Sequence, residues 1–242
     1  MFHWIAVAFS AAIYTPLYNG LVFLVGIMPG DDMGLAVIVL TIIVRFILFP
    51  LSKRAVAAQL AMKRIAPEVE KLKQKYKDKP EEQGKAIFAL YKENDVHPFA
   101  GFALVLVQIP ILLGLYWVFS RGGLPAVDTS LLYSFVHAPS GVNMEFLGLV
   151  NMAAPHSIVL SALAAISQFI YTRLSMGATE TSSPVEASLS GDMAKSFEVQ
   201  ARYILPLFVG VISYTLAAAA PLYWATSNLF MIAQEYFSGR RF

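Results

Sequence analysis

Gly34-Leu35-Ala36-Val37-Ile38-Val39-Leu40-Thr41-Ile42-Ile43-Val44-Arg45-Phe46-Ile47-Leu48-Phe49-Pro50-Leu51 is the stretch on which the fold turns. It is apolar over the length of a membrane-crossing helix, roughly 17–25 residues. It carries a single charge, Arg45, in its second half. An ionisable side chain at that depth costs at least ~2.5–3.5 kcal/mol on insertion scales, and it ordinarily marks a water-filled or paired site. The first charge after the span, Lys53, lies eight residues further on, or about 12 Å at the helical rise. A snorkelling arginine covers roughly half of that distance, so water has to come to Arg45. Thr41, four residues earlier, shares its helix face. The competing reading pairs the arginine with a buried carboxylate as structural glue. Against it, no Asp or Glu falls inside any other predicted span, Glu235 lying at the very end of the last.

Outward from this stretch the composition agrees: 57% of the 242 residues are hydrophobic and 14% charged. Several apolar runs of membrane length recur, and the ten-residue alternation of a transmembrane barrel does not, so an all-α polytopic membrane protein is expected. The absence of cysteine removes disulfides, thiolate chemistry and cysteine metal sites. His3, His97, His137 and His156 are scattered without metal-ligand spacing. No P-loop, nucleophile elbow or paired-histidine zinc motif is present. The expectation is a protein that is not an enzyme, with no metal and no cofactor.

Residues 1–33 carry no Lys or Arg, unlike a secretory signal or a transit peptide. Pro16, Asn19 and Gly20 read as interruptions. Tyr14 to Met28 is expected to lie as a helix in the outer interface, with Trp4, Tyr14 and Tyr18 at headgroup level. A sixth span built from residues 2–28 is the alternative. Five spans are predicted, at residues 34–51, 98–119, 157–175, 202–219 and 221–237. An outer loop (120–156), an inner loop (176–201) and a short tail (238–242) complete the plan.

Between the first two spans, residues 52–97 hold eleven basic and seven acidic side chains. Ile65, Val69, Leu72 and Tyr76 form one stripe at helical spacing, and Asp78-Lys79-Pro80 breaks it. Ile87, Leu90, Tyr91 and Asn94 line one side of a second helix. The two stripes have each other to bury against, which predicts a soluble antiparallel helical hairpin rather than a merely solvated loop. With the hairpin inside, sixteen Lys and Arg flank the spans on that side and Arg121 stands alone outside. The positive-inside rule then places the N-terminus out and the C-terminus in.

Gln108, Gln168, Ser213, Thr215, Thr226, Ser227, Asn228 and Gln234 also fall inside spans. Each alone reads as helix–helix glue, and Tyr223 and Trp224 are equally readable as aromatic-belt residues. Together with Arg45 they could line a hydrophilic cleft, a halfway stop for a polar segment crossing ~30 Å of hydrocarbon.

These residues resemble the membrane protein insertases of the YidC/Oxa1/Alb3 family. Four stretches carry the resemblance, in order: Leu40 to Arg45 with Phe49-Pro50-Leu51; the charged hairpin; Gln108-Ile109-Pro110-Ile111 with Leu115-Tyr116-Trp117; and Leu222-Tyr223-Trp224-Ala225-Thr226-Ser227-Asn228-Leu229 with Gln234. The resemblance implies five transmembrane helices around a hydrophilic groove that is open to the cytoplasm and to lipid. It makes Arg45 the groove arginine, Thr41 its neighbour one turn earlier and Trp224 a functional aromatic, with Gln108 and Gln168 facing the groove; Tyr223 and Asn228, beside Trp224 in the last span, are taken as candidate groove residues with them. It implies a bacterial inner-membrane location and nascent membrane proteins as clients. Work beside the Sec translocon and contact with the ribosome through the hairpin are implied too, without sequence-specific nucleic-acid binding and without nucleotide or cofactor. Departures are the lack of a large outer domain before the core, a basic C-terminal extension reduced to Arg240 and Arg241, and a long, bland loop at residues 177–191.

Two other classes compete. A small-solute transporter or channel would use Arg45 as an anion site, but the sequence lacks an inverted repeat and paired broken helices, and such a protein has no need of a large soluble hairpin. An intramembrane protease would need a catalytic pair that the sequence does not offer.

Overall fold

The computed structural model describes residues 2–96, 100–176 and 200–237, and it is almost wholly helical. His97, nearly all of the expected inner loop and the tail from residue 238 lie outside the described residues. Two compact units emerge, one formed by Met1–Arg45 with Ile111–Phe242, the other by Phe46–Pro110.

In the larger unit the chain begins with α1 (Phe2–Phe9), a π-helical turn (Ser10–Tyr14) and α2 (Thr15–Val25). The expected interruption at Pro16 does not occur. The backbone N–H of Thr15 donates to the carbonyl of Ser10, a five-residue step, and Pro16 then sits in the first turn of α2, where its missing donor costs little. Asn19 is equally no breaker. Its Nδ2 donates to the carbonyls of Thr15 and Leu131, both at 2.9 Å, and its Oδ1 accepts from the Tyr133 amide at 2.6 Å. Tyr18, expected at headgroup level, is fully buried, and its hydroxyl accepts from the Asp128 amide at 2.7 Å. The helix therefore clamps the segment that follows the next long span. At Gly20 a Cβ would stand 3.0 Å from the Leu40 side chain, so glycine admits the close approach of α3.

Next come α3 (Met33–Ile47) and, after α6 (Ala100–Arg121), the irregular segment that carries the two-residue strands β1 (Glu145–Phe146) and β2 (Val150–Asn151). α7 (Ile158–Met176), a π turn (Gln200–Ile204), α8 (Leu205–Thr215) and α9 (Ala219–Phe237) complete this unit. α7 packs on both α8 and α9. The α7–α8 contact is close because a Cβ on Gly210 would lie 3.0 Å from that of Ala165. Phe9 meets Trp117 edge-on at 4.8 Å, Ile13 and Leu17 crowd Gly114 in the last turns of α6, and Tyr18 crowds Gly122 just beyond its end.

Polarity runs opposite to that of a water-soluble bundle. On α7, Val159, Leu163, Ile166 and Ile170 are exposed, while Ser161, Ser167, Gln168, Thr172 and Ser175 are buried. Apolar outside and polar inside is what a lipid solvent selects. By length and composition, Ala6–Val25 (20 residues) and Ile158–Ser175 (18 residues) suffice to cross a membrane among the described residues, and the apolar parts of α6 and α8 are shorter. The expected first span is shorter as well: α3 stops at Ile47, and Phe49-Pro50-Leu51 open the next helix, with Pro50 in its first turn.

One buried carboxylate fastens the irregular segment to α3. Asp32 Oδ1 accepts from the amides of Gly34 (2.7 Å) and Leu35 (3.0 Å), and its Oδ2 accepts from the Leu147 amide at 2.9 Å. Beside it, the Met33 amide donates to the Asn143 carbonyl at 2.9 Å. A Cβ on Gly34 would lie 2.2 Å from the Phe146 ring, so only glycine fits there. The same segment caps other helix ends, with the Ala219 amide on the Met152 carbonyl (3.0 Å) and the His156 amide on that of Tyr214 (2.9 Å). Farther out, Ser130 donates its hydroxyl and amide to Asp128 and holds that carboxyl below the usual range.

The second unit carries α4 (Phe49–Lys75) and α5 (Pro80–Glu93), which pack on each other around a tight turn. Gln83 Nε2 donates to the Lys73 carbonyl at 2.9 Å across it. Along the expected stripes Ile65 is buried, and Val69, Leu72, Tyr76, Ile87, Leu90, Tyr91 and Asn94 are half-buried. Exposed ion pairs such as Lys85–Glu81 at 2.8 Å decorate the outside and add little stability individually.

Replacing Asp32 with alanine strands three backbone donors at once. Asp32→Ala should lower unfolding stability by about 1–3 kcal/mol, the scale of buried donors left unsatisfied. Thermal unfolding of the purified protein in detergent tests this, and an unchanged midpoint would show that the carboxylate fastens nothing.

Candidate functional site

Helix α3 carries Thr41 and Arg45 on one face, and both are buried, at 1% and 9% exposure. Thr41 answers its own polarity by donating Oγ1 to the Val37 carbonyl at 2.6 Å. Such back-bonding lets a hydroxyl sit in an apolar helix. Around Arg45 the electrostatic neighbours include the phenols of Tyr223 on α9 and Tyr171 on α7.

A chain of hydrogen bonds joins α7 to α9. The Trp224 indole Nε1 donates to Gln168 Oε1 at 3.0 Å, and Gln168 Nε2 donates to Thr172 Oγ1 at 3.1 Å. One turn away, Asn228 Nδ2 donates to Ser167 Oγ at 3.2 Å, and that hydroxyl donates to the Ala164 carbonyl at 3.0 Å. The spacing explains the meeting, since Ser167, Gln168, Tyr171 and Thr172 share one side of α7, as Trp224 and Asn228 share one side of α9.

Of the residues singled out in sequence, Arg45, Thr41, Gln168, Tyr223 and Asn228 are interior and Trp224 is half-buried. Tyr223, at 1% exposure, sits inside the protein and not in an aromatic belt. Gln108, half-buried, belongs to the second unit and is described only there. Ser167, Tyr171 and Thr172 were not singled out. Their signal was available, because all three lie within four residues of Gln168 on its helix face. Glu235 is another surprise. Expected at the very end of the last span, it is buried at 1% exposure on α9.

What this arrangement offers is a cation, phenols, amides, hydroxyls and an indole donor in the interior of the larger unit. Among the described residues no cluster of three or more His, Asp or Glu side chains could hold a metal.

These features define an all-α membrane protein, apolar towards its surroundings, with a buried arginine and an amide-bridged polar interior. The family model described as "60Kd inner membrane protein" matches residues 24–242, and the chain belongs to that family. It is 31% identical over 207 residues to the membrane protein insertase YidC of Fusobacterium nucleatum, covering 85% of each chain. It is 28% identical to the membrane protein insertase MisCA of Bacillus subtilis, over 86% of this chain and 71% of that one. With the membrane protein insertase YidC of Methylobacillus flagellatus it shares 26% identity over 86% of its own length, but only 32% of that longer protein. The family resemblance read from the sequence is borne out.

The Gln168–Trp224 bond makes a measurable prediction. A double-mutant cycle of Gln168→Leu and Trp224→Phe, followed by unfolding in detergent, should give a coupling energy of about 0.6 kcal/mol, the usual size of hydrogen bonds between membrane helices. Additive effects of the two substitutions would show that the bond is not formed in solution.

Proposed function

We propose that this protein inserts hydrophobic segments of nascent membrane proteins into the bilayer and assists their folding. The observation that carries the proposal is Arg45, buried on an apolar helix, with Tyr171 and Tyr223 among its electrostatic neighbours. Relatives at about 30% identity over most of the chain, each named a membrane protein insertase, support the same reading. They disfavour the small-solute transporter.

In the mechanism, a client's apolar segment moves along the lipid-facing side of a hydrophilic groove lined by Arg45, Thr41, Gln168, Tyr223, Trp224 and Asn228. Its short polar, often acidic, end enters the groove and is attracted by the guanidinium. Two unit charges attract with about 4 kcal/mol at 4 Å and an effective dielectric near 20, against about 1 kcal/mol in water. The apolar segment then partitions into lipid, driven by roughly 0.8 kcal/mol per buried CH₂. No step requires a nucleotide, metal or cofactor.

The hairpin α4–α5 faces the cytoplasm in this proposal, as the sixteen basic residues on its side favour. There it meets ribosome-bound clients, with the Sec translocon as a second partner. The C-terminus is inside, and the N-terminal helix lies at the outer interface with its N-terminus outside.

Two measurements test the reading. For a single-span client with an acidic end, Arg45→Ala should reduce insertion about tenfold, or ~1.4 kcal/mol, while Arg45→Lys retains most of it. Equal insertion by both variants would remove charge as the agent. Photocrosslinkers at Thr41 and Trp224 should capture a ribosome-bound client while its span emerges and lose it after release. No capture in correctly oriented vesicles would overturn the insertase reading.

A further inference from the structure

The turn between β1 and β2 points outward from the larger unit and is apolar. Leu147 and Leu149 flank Gly148 and are 62% and 80% exposed. The strands pair Glu145 with Asn151 and Phe146 with Val150, so three residues make the tip. The Leu149 amide donates to the Phe146 carbonyl at 2.9 Å and closes it. Leu147 has φ +52° and Gly148 φ +71°. The left-handed region strains leucine but not glycine. A turn selected for backbone geometry alone would carry Asn, Asp or Gly at residue 147, so the leucine side chain is kept there against a backbone penalty.

Where the tip sits is fixed by helix α3. The Leu147 amide donates to Asp32 Oδ2, and the other oxygen of that carboxylate binds the first amides of α3. The tip is thus tied to the level at which the apolar helix of Arg45 begins, within about one helical turn, ~5.4 Å. That is the depth of the boundary between hydrocarbon and headgroups. At the same end, Ile158 and Val159 open α7 with their side chains exposed, so the apolar surface of the span continues at the level of the tip. Leu147 and Leu149 thus extend a contiguous apolar surface with Ile158 and Val159, and a contiguous exposed apolar surface, unlike single scattered residues, marks an interaction site.

From this we infer that Leu147 and Leu149 form a lipid-dipping tip, which anchors the irregular segment 122–157 in the interfacial layer of the bilayer. Its occupant is lipid, not a second protein. The inference rests on the membrane-spanning reading of α7 but not on the insertase mechanism.

The sequence contains no cysteine, so single-cysteine labelling of the whole protein is direct. Leu149→Cys, Lys85→Cys and Ile166→Cys would each carry an environment-sensitive NBD probe in phosphatidylcholine–phosphatidylglycerol vesicles. Leu149 and Lys85 are exposed and Ile166 lies on the outward face of α7, so none of the labels disturbs the core. At residue 149 the probe should emit to the blue of the Lys85 site. It should also be quenched at least twofold more by lipids spin-labelled near the headgroup than by lipids labelled deep in the acyl chain, with iodide quenching reduced severalfold. Water-like emission with full iodide quenching would overturn the inference. So would blue-shifted emission without lipid quenching, which would mean that protein covers the tip. The Ile166 probe separates the premises: it should be quenched best by the deep label. If it is not, α7 does not span, and the inference falls with that reading while the insertase proposal is judged by its own crosslinks.

Discussion

A permanent positive charge inside an apolar helix bundle is the constraint on which the rest of this molecule depends. Moving a bare guanidinium into hydrocarbon is prohibitive, so the surroundings must supply polarity. That requirement accounts for the phenols of Tyr171 and Tyr223 near Arg45. It also accounts for polar side chains on α7 and α9 that would be out of place in a lipid-facing helix. Each of those side chains then raises the same difficulty on a smaller scale, and pairing answers it: Trp224 with Gln168, Gln168 with Thr172, Asn228 with Ser167.

The pairing has a second consequence. In lipid there is little hydrophobic force pressing helices together, because the tails outside are as apolar as leucine. Helices associate through close packing of small residues and through hydrogen bonds between side chains. α7 uses both, meeting Gly210 of α8 through Ala165 and α9 through the amide bridges. The polar interior that would serve a client also holds the helices together. Substitutions there must therefore be read for stability as well as for insertion.

How much of this was legible in the sequence varied with the range of the interaction. Arg45 and Thr41 were readable because the evidence is local: a charge, a span and a helical repeat. The hairpin was readable for the same reason, its stripes lying within two short windows. Asn19 and Tyr18 were misread, one as a break and the other as a headgroup anchor, because their partners Leu131, Tyr133 and Asp128 lie more than a hundred residues away. Propensity treats Asn as a helix breaker unless its side chain is satisfied elsewhere, and no local pattern reveals that satisfaction. Pro16 was misjudged because a π turn can absorb a missing donor, and nothing in composition announces one. Glu235 looked peripheral because its position near a span end suggested solvent. The helix-side companions of Gln168 were visible in principle, had the polar residues of α7 been read as a face and not one by one.

The irregular segment 122–157 gives the structure its asymmetry. It holds the start of α3 through Asp32, the end of α8 through His156 and the start of α9 through Met152. Three helices that carry or support the polar interior are thus fastened at one end by backbone hydrogen bonds, whose loss would leave buried donors and acceptors orphaned. Arg45 lies thirteen residues from Asp32 along α3, or about 20 Å. A tilt about the fastened end displaces a point at that distance by about 0.35 Å per degree, so a few degrees change the clearance beside Arg45 by an ångström or more. Such a tilt need not break a single bond of the clamp. For a protein proposed to receive clients of different bulk, this geometry separates two demands that otherwise conflict: hydrogen bonds fix one end of the helices, while the clearance beside the charge is set about 20 Å away.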